Sequence, residues 1–367
     1  MTERTLLMIP GPIEFEPSVL RALGEKTRGH LDPVFMKAFS RSLKRLREVF
    51  AAPSAQPFVV AGSGTLAMEM AVANLAQPGD KALVVNSGYF SDRIGTMLER
   101  HGAQVTHLRA APGAIASLEE VEKALATRQF KLMTITHVDT STAVLAPVKE
   151  LAALARKHDA LCIVDGVCSV GGEELQMDAW GVDVTFTASQ KALGAPPGLA
   201  ILLAGPRAMA AWKARTKPVA SMYLDFAEWL PIHTAYEEEK PAYFATPPVN
   251  LITALDVSLG HLVEEGMANR VARHQRIAGE FRAAWKAMGL EHLPKSEALR
   301  AHTLSALYYP QGVDAALVKA IGAQGVTVAG GLHPELRTKY FRVGHMGAVT
   351  MNDVAAVTAA IGRALGK

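Results

Sequence analysis

The chain runs to 367 residues, 49% hydrophobic and 20% charged, which is too much apolar material for one ordinary core and too little charge for a disordered chain. Its 38 basic and 35 acidic residues leave a net charge of +3 spread along the sequence. With no long basic run interleaved with aromatics, a nucleic-acid partner is not expected.

At the N-terminal end the apolar stretch 6–9 stops at Pro10 and Gly11, shorter than the core of a secretory signal. No apolar run approaches the ~20 residues that span a bilayer. The expectation is a soluble, cytoplasmic protein with no membrane partner. The 2 cysteines, Cys162 and Cys168, suit a reducing compartment, Cys162 as a small hydrophobe inside the run 161–164. The Gly11-Pro12 pair reads, by itself, as a turn.

From about 58 to 215 short apolar runs alternate with helical patterns. Strands are predicted at 58–61, 82–86, 104–108, 132–137, 160–165, 182–187 and 199–203, with helices at 65–76, 91–101, 118–126 and 147–158. Such alternation predicts an α/β protein with a mainly parallel sheet covered on both faces. Ligands then bind beyond the carboxyl ends of the strands. Residues 216–247 hold 4 prolines, aromatics and the acidic run Glu237, Glu238, Glu239, with no clear period; a long unpatterned stretch inside a compact protein is usually functional, and the glutamates read as a solvated face. A strongly helical pattern follows at 249–288, then strands at 303–309, 326–328 and 340–343 with helices at 314–323 and 352–365. This predicts an N-terminal segment at 1–15, a large domain at 16–250 and a smaller α+β domain at 251–367.

Three motifs carry chemistry. Gly62-Ser63-Gly64-Thr65 follows a strand and opens a helix, so its amides and hydroxyls converge on an anion such as phosphate. The same letters fit the dinucleotide fingerprint as Gly62-x-Gly64-x-x-Ala67, which leaves a nicotinamide cofactor open. That reading wants Asp or Glu about 20 residues on, at the next strand's end, where Asn86 stands. Asp165 ends an apolar strand and carries a carboxylate to the ligand edge; a buried charge there wants a cationic partner, though a strand-end aspartate also serves as a loop brace. Ser189-Gln190-Lys191 follows another strand, and a lysine among small apolar neighbours is suited to act as nucleophile and base. Cradle, acid and lysine follow different strands and would face one edge. His30, His137 and His345 form no ligand pair at helical spacing, so no metal is expected.

These residues, with His137-Val138-Asp139-Thr140-Ser141-Thr142 and Val164-Asp165-Gly166-Val167, resemble class-V aminotransferases of fold type I. The resemblance runs from Ile9-Pro10-Gly11-Pro12 through Tyr243-Phe244-Ala245-Thr246 to Arg342-Val343-Gly344-His345, and is greatest to alanine:glyoxylate aminotransferases of the fungal type. It implies pyridoxal 5′-phosphate as cofactor, held by Lys191 as a Schiff base, with Asp165 meeting the pyridine nitrogen. Ser63, Gly64, Thr65 and Gln190 would hold the phosphate, Phe90 or its neighbour Tyr89 would stack on the ring, and Thr140 would bond the ring hydroxyl or its surroundings. Tyr243 and Thr246 would reach the phosphate of the neighbouring subunit in a homodimer. Arg342 would bind the substrate carboxylate, as its planar fork suits, and Gly11 would lie in a loop closing over the substrate.

The resemblance implies transamination between a small amino acid and a 2-oxo acid, alanine plus glyoxylate giving pyruvate plus glycine, with ping-pong kinetics. Serine as donor to pyruvate or glyoxylate is the alternative, since one hydroxyl needs only a small change of pocket. Cysteine desulfuration needs a thiol in the C-terminal part of the chain, and both cysteines precede Lys191. A nicotinamide-dependent dehydrogenase is the reading from another class.

Overall fold

The computed structural model describes residues 5–367; positions 1–4 of the expected N-terminal segment lie outside the described residues. The chain begins with β1 (Leu6–Leu7), α1 (Pro17–Leu23), α2 (Pro33–Val49), β2 (Gln56–Ala61), α3 (Gly64–Leu75), β3 (Lys81–Asn86), α4 (Tyr89–Arg100), β4 (Gln104–Arg109) and α5 (Leu118–Thr127). It continues with β5 (Leu132–Thr136), β6 (Val138–Asp139), β7 (Val144–Leu145), α6 (Val148–Lys157), β8 (Leu161–Asp165), α7 (Met177–Trp180), β9 (Val184–Ala188) and β10 (Leu199–Ala204). Helices α8 (Pro206–Lys213), α9 (Phe226–Glu237), α10 (Val249–Glu265) and α11 (Met267–Ala287) follow, then β11 (Leu304–Tyr308), α12 (Ala316–Gly322), β12 (Val326–Thr327), β13 (Ala329–Gly330), β14 (Tyr340–Gly344) and α13 (Met351–Ala364).

A seven-stranded sheet in the order β2-β10-β9-β8-β5-β3-β4 forms the centre. Strands β9, β8, β5, β3 and β4 run parallel, while β10 is antiparallel to both β2 and β9. The strands read as unbroken apolar runs because both faces are covered. Val59, Leu83, Val85, Met133, Ile135, Val164 and Ile201 point to one core with α2, α6 and α10, and their neighbours Phe58, Val60, Val84, Ile163, Phe186 and Leu202 point to the other with α3 and α4, as the period of 2 in a strand requires.

The antiparallel sheet β11-β14-β13 lies in the C-terminal part, with Phe281, Trp285, Leu307, Phe341, Val343 and Ile361 in its core. Helix α10 does not join that core. Its Ile252, Leu255, Leu259 and Leu262 pack with the large sheet, so the large core extends past the expected boundary at 250. Gly266, at φ +78, separates α10 from α11 and splits the single helical pattern at 249–288 in two.

The region 216–247 is more ordered than its sequence suggests. Helix α9 is capped by the Asp225 carboxylate, which accepts from Ala227 N at 2.9 Å, and it buries Phe226, Trp229, His233 and Tyr236. Those positions follow helical spacing; Pro231 inside the helix obscures it, since proline removes a backbone donor and normally ends such a pattern. Helices α1 and α2 also precede the first expected strand, α2 starting at a proline behind the cap Asp32, whose carboxylate accepts from Val34 N at 2.8 Å.

Candidate active site

The sheet register brings the motif-bearing strand ends to one edge. Ala61 pairs with Leu199, Ala200 with Ala188, and Asp165 with both Phe186 and Thr136. The turns after β2, β5, β8 and β9 therefore open on the same side, and Ser63–Thr65, Thr140, Asp165 and Gln190–Lys191 sit on or at the start of them.

Helix α3 starts at Gly64, and its N-cap Ser63 makes no side-chain capping bond. Ser63 and Thr65 are exposed, leaving the hydroxyls and first-turn amides to an anion. A Cβ on Gly64 would stand 3.0 Å from Val167 Cγ2 and 3.2 Å from the Ala188 Cβ, so this position keeps the helix start close to the turns after β8 and β9. Arg93, one turn into α4, donates to Thr65 Oγ1 at 3.1 Å and to Tyr89 OH at 3.1 Å. Its guanidinium lies 5.0 Å from the Tyr89 ring centre and 4.9 Å from that of Phe90. Nothing in the sequence pattern singled out Arg93; only its helical spacing from Tyr89 hints at it.

Asp165 is 3% exposed. Val167 N donates to its Oδ1 at 2.9 Å, and no other described residue donates to the carboxylate. Burial pushes its pKa up to about 7; the negative Asp139 adds to that, while the Val167 amide, Lys191 and Arg93 oppose it. A carboxylate in that position gains from a cation set against it.

Lys191 follows β9 by way of Ser189 and Gln190. Its Nζ donates to the Pro10 carbonyl. Gly11 lies against the same side chain: its φ is +110, and a Cβ there would be 2.6 Å from Lys191 Cδ and 2.7 Å from Nζ. The N-terminal segment reaches this place because β1 pairs in parallel with β12, Gly344 N donates to Met8 O at 2.7 Å, and Ile13 N donates to Gln190 O at 3.2 Å. The buried Oε1 of Gln190 has no hydrogen-bond partner among the described residues.

Asp139, quoted in a motif but given no role there, is fully buried and organises the loop after β5. It accepts from Phe90 N at 3.1 Å, Ser91 N at 3.3 Å, Ser141 N at 2.9 Å and Ser141 Oγ at 2.6 Å. It thus caps the helix that presents Tyr89 and Phe90, whose rings meet edge to face at 5.3 Å. Thr140 is buried with its hydroxyl against Cys168 Sγ. Arg342 joins this group from β14, donating from Nη1 to Thr140 O at 3.2 Å and from Nε to Gly330 O at 2.8 Å; its Nη2 donates to no described residue. Tyr243 and Thr246 stand apart. Tyr243 is 63% exposed, its hydroxyl is 3.5 Å from Thr246 Oγ1, and no hydrogen bond links either to the Ser63–Thr65 turn of the same chain. Among the described residues no group of 3 or more His, Cys, Asp or Glu side chains is disposed to hold a metal ion.

The nicotinamide reading of the glycine turn fails on topology as well as on Asn86, which is engaged with Asp92 Oδ1 at 2.8 Å. Strand β2 lies at the sheet edge beside antiparallel β10, far from the adjacent parallel pair that dinucleotide folds require. Pyridoxal phosphate fits the residues present: an uncapped helix start for its phosphate, an amide end with a buried unpaired atom beside it, a half-buried amine, and a buried acid short of a cation. Fold and site together define a pyridoxal-phosphate-dependent transferase of fold type I. The aminotransferase class-V family model matches residues 19–357. Alanine–glyoxylate aminotransferase 1 of Saccharomyces cerevisiae is 39% identical over 94% of this chain and 93% of its own length. L-aspartate–glyoxylate aminotransferase of Paracoccus denitrificans is 34% identical over 95% of this chain and 88% of its own. The crystal structure of alanine–glyoxylate aminotransferase from Nostoc sp. superposes with a TM-score of 0.93 at 34% identity, covering 100% of this chain and 96% of that one. The chain belongs to the class-V aminotransferases. No helix among the described residues is long and apolar enough to cross a membrane.

Proposed function

We propose that this enzyme transfers the amino group of alanine to glyoxylate, releasing pyruvate and glycine. What supports the reading is Lys191 and Asp165 at one sheet edge, with Arg342 bonded to the carbonyl of Thr140 in the loop after β5, in a chain whose relatives from yeast and Nostoc are named for this reaction. The Paracoccus relative, named for aspartate as donor, is also named for glyoxylate, which supports glyoxylate as the acceptor.

When bound, pyridoxal phosphate supplies the carbonyl that takes up and returns the amino group, and a ring that withdraws electrons from the substrate carbon. The chain does the rest. Ser63, Gly64, Thr65 and Gln190 hold the phosphate, with Arg93 adding a charge beside Thr65. Asp165 keeps a proton on the ring nitrogen by offering it a buried anion. Phe90 covers the ring, and Tyr89 sets the Phe90 edge. The carbonyl of Thr140 steadies Arg342, whose free Nη2 and its neighbour grip the substrate carboxylate and so point the Cα–H at Lys191. Lys191 anchors the cofactor, and once free its amine carries the proton to and from that carbon. Gly11 and Pro10 close the pocket above it.

Tyr243 and Thr246, exposed and unengaged with their own cradle, support a homodimer in which they complete the phosphate site of a second copy. A panel of alanine, serine and aspartate donors against glyoxylate and pyruvate tests the assignment. Alanine with glyoxylate should lead; a clear preference for serine would move the assignment to a serine aminotransferase, and no turnover with glyoxylate would overturn it. Lys191→Ala should lose roughly 10²–10⁴-fold in rate from proton transfer alone.

A further inference from the structure

We propose a second anion site, for a phosphate group carried free or on a small molecule, in the groove between the C-terminal half of α11 and the segment 289–300. This groove has a volume of about 850 Å³ and shares no residue with the candidate active site.

Arg282 and Lys286 are four apart on α11 and so share a face; Lys295 and Arg300 come from the segment that follows. Two carboxylates, Glu291 and Glu297, line the same groove, the buried Glu173 also acts on Arg282, and none of the four cations forms an ion pair with a described residue. Arg282 is fixed by its backbone partners, donating from Nη2 to Arg300 O at 2.7 Å and to Ala301 O at 3.2 Å. Two side chains that line the groove each carry a buried polar atom without a partner among the described residues, Arg300 Nε and His292 Nε2. A buried donor left unpaired is costly, and a buried guanidinium N–H beside unneutralised charge is satisfied best by an oxyanion. Burial, with Arg300 and Arg282 adding to it, drives the His292 imidazole down to about 4; the ring is neutral, and its Nε2–H tautomer offers a further donor. A phosphate, with a double charge and several acceptor oxygens, matches this set better than a monocarboxylate.

The place also has a route inward. Arg300 forms an isolated antiparallel bridge with Val144, and Ala301 N donates to Ala143 O at 3.1 Å, directly after the loop that holds Asp139 and Thr140.

The test uses the cofactor-saturated enzyme, so that the active-site phosphate position is filled. Inorganic phosphate, pyrophosphate and glycerol phosphate are titrated by calorimetry in about 0.15 M salt, where weak surface charge is screened. Saturable binding near one equivalent per chain is expected, and the stronger of the phosphate and glycerol phosphate arms says whether the ion is free or esterified. The double variant Lys286→Glu, Lys295→Glu alters exposed side chains only and should weaken binding about tenfold or more, equivalent to about 1.4 kcal/mol. Arg300→Lys, which keeps the charge and removes the Nε donor, should also weaken it, and Lys319→Glu, elsewhere on the surface, should not. Absence of saturable binding in all three arms, equal affinity in the double variant, or binding of a single-stranded oligonucleotide in place of the small anions would overturn the proposal.

Discussion

Asp165→Asn isolates the electrostatics of the buried acid that ends β8, because asparagine keeps the acceptor for Val167 N and cannot titrate. In the cofactor-free protein burial raises the Asp165 pKa from an ordinary 3.8 to about 7. The folded chain therefore holds a proton that the unfolded chain releases within that interval. The associated stability is fully present below 3.8 and is lost as pH rises through about 7. At about 1.36 kcal/mol for each pH unit of separation, the loss accumulates to about 4 kcal/mol across the window.

Urea unfolding of cofactor-free wild type and Asp165→Asn, run across that range, reads the effect as a difference of midpoints at equal slope. The wild type should lose ground to the variant as pH rises, with the difference widening to a plateau above about 7. Cofactor should remove the dependence in the wild type, since a cation set against the carboxylate lowers its pKa by about 1–3. Parallel stability curves for the two cofactor-free proteins would refute the reasoning, for Asp165 would then not be the buried, partnerless acid described above.

Gly11→Ala should lower kcat by about tenfold or more, because positive φ costs an L-residue about 1–2 kcal/mol and the new methyl meets the Lys191 side chain at 2.6 Å; steady-state kinetics with unchanged kcat would count against the close approach. Arg342→Lys keeps the charge and loses the fork, so kcat/KM for both amino and oxo acid should fall by about 1.5–3 kcal/mol, the worth of a hydrogen bond to a charged group. An unchanged KM for the amino donor would place the substrate carboxylate elsewhere.

The central strands were legible because sheet burial on both faces writes them as unbroken apolar runs, and Ser63, Asp165 and Lys191 stood out because each follows such a run within a few residues. Other parts are fixed by contacts that no local pattern records. The pairing of Leu6 with Val326, which brings Pro10 to Lys191, joins opposite ends of the chain. Arg93 reaches the Ser63–Thr65 turn from within a helix, where an arginine looks like any solvated residue. Helix α9 had its signal in Phe226, Trp229, His233 and Tyr236, yet Pro231 argued locally against a helix, and the aromatic packing of Phe58 on Phe226 at 4.4 Å belongs to the tertiary structure that outweighs it. The packing of α10 with the large sheet was hidden for a related reason: a helical run says nothing about which core its apolar face will join.

The groups assigned to the substrate carboxylate and to the cofactor ring share one support. Tyr340, fully buried on β14, donates to Ser141 O and accepts from Leu332 N at 2.8 Å and His333 N at 2.9 Å. Two residues on, Arg342 bonds Thr140 O, and two further on Gly344 bonds Met8 O. Strand β14 is therefore stitched both to the Asp139 loop that caps the Phe90 helix and to the segment that carries Gly11 over Lys191. A transaminase must present the Cα of two different substrates to the same amine in successive half-reactions, and a carboxylate grip that drifted relative to the ring would spoil the alignment in each. Fixing both to a single strand ties their separation to hydrogen bonds made by neighbouring residues of that strand, through the side chains of Tyr340 and Arg342 and the backbone of Gly344, where small positional errors are most costly to rate.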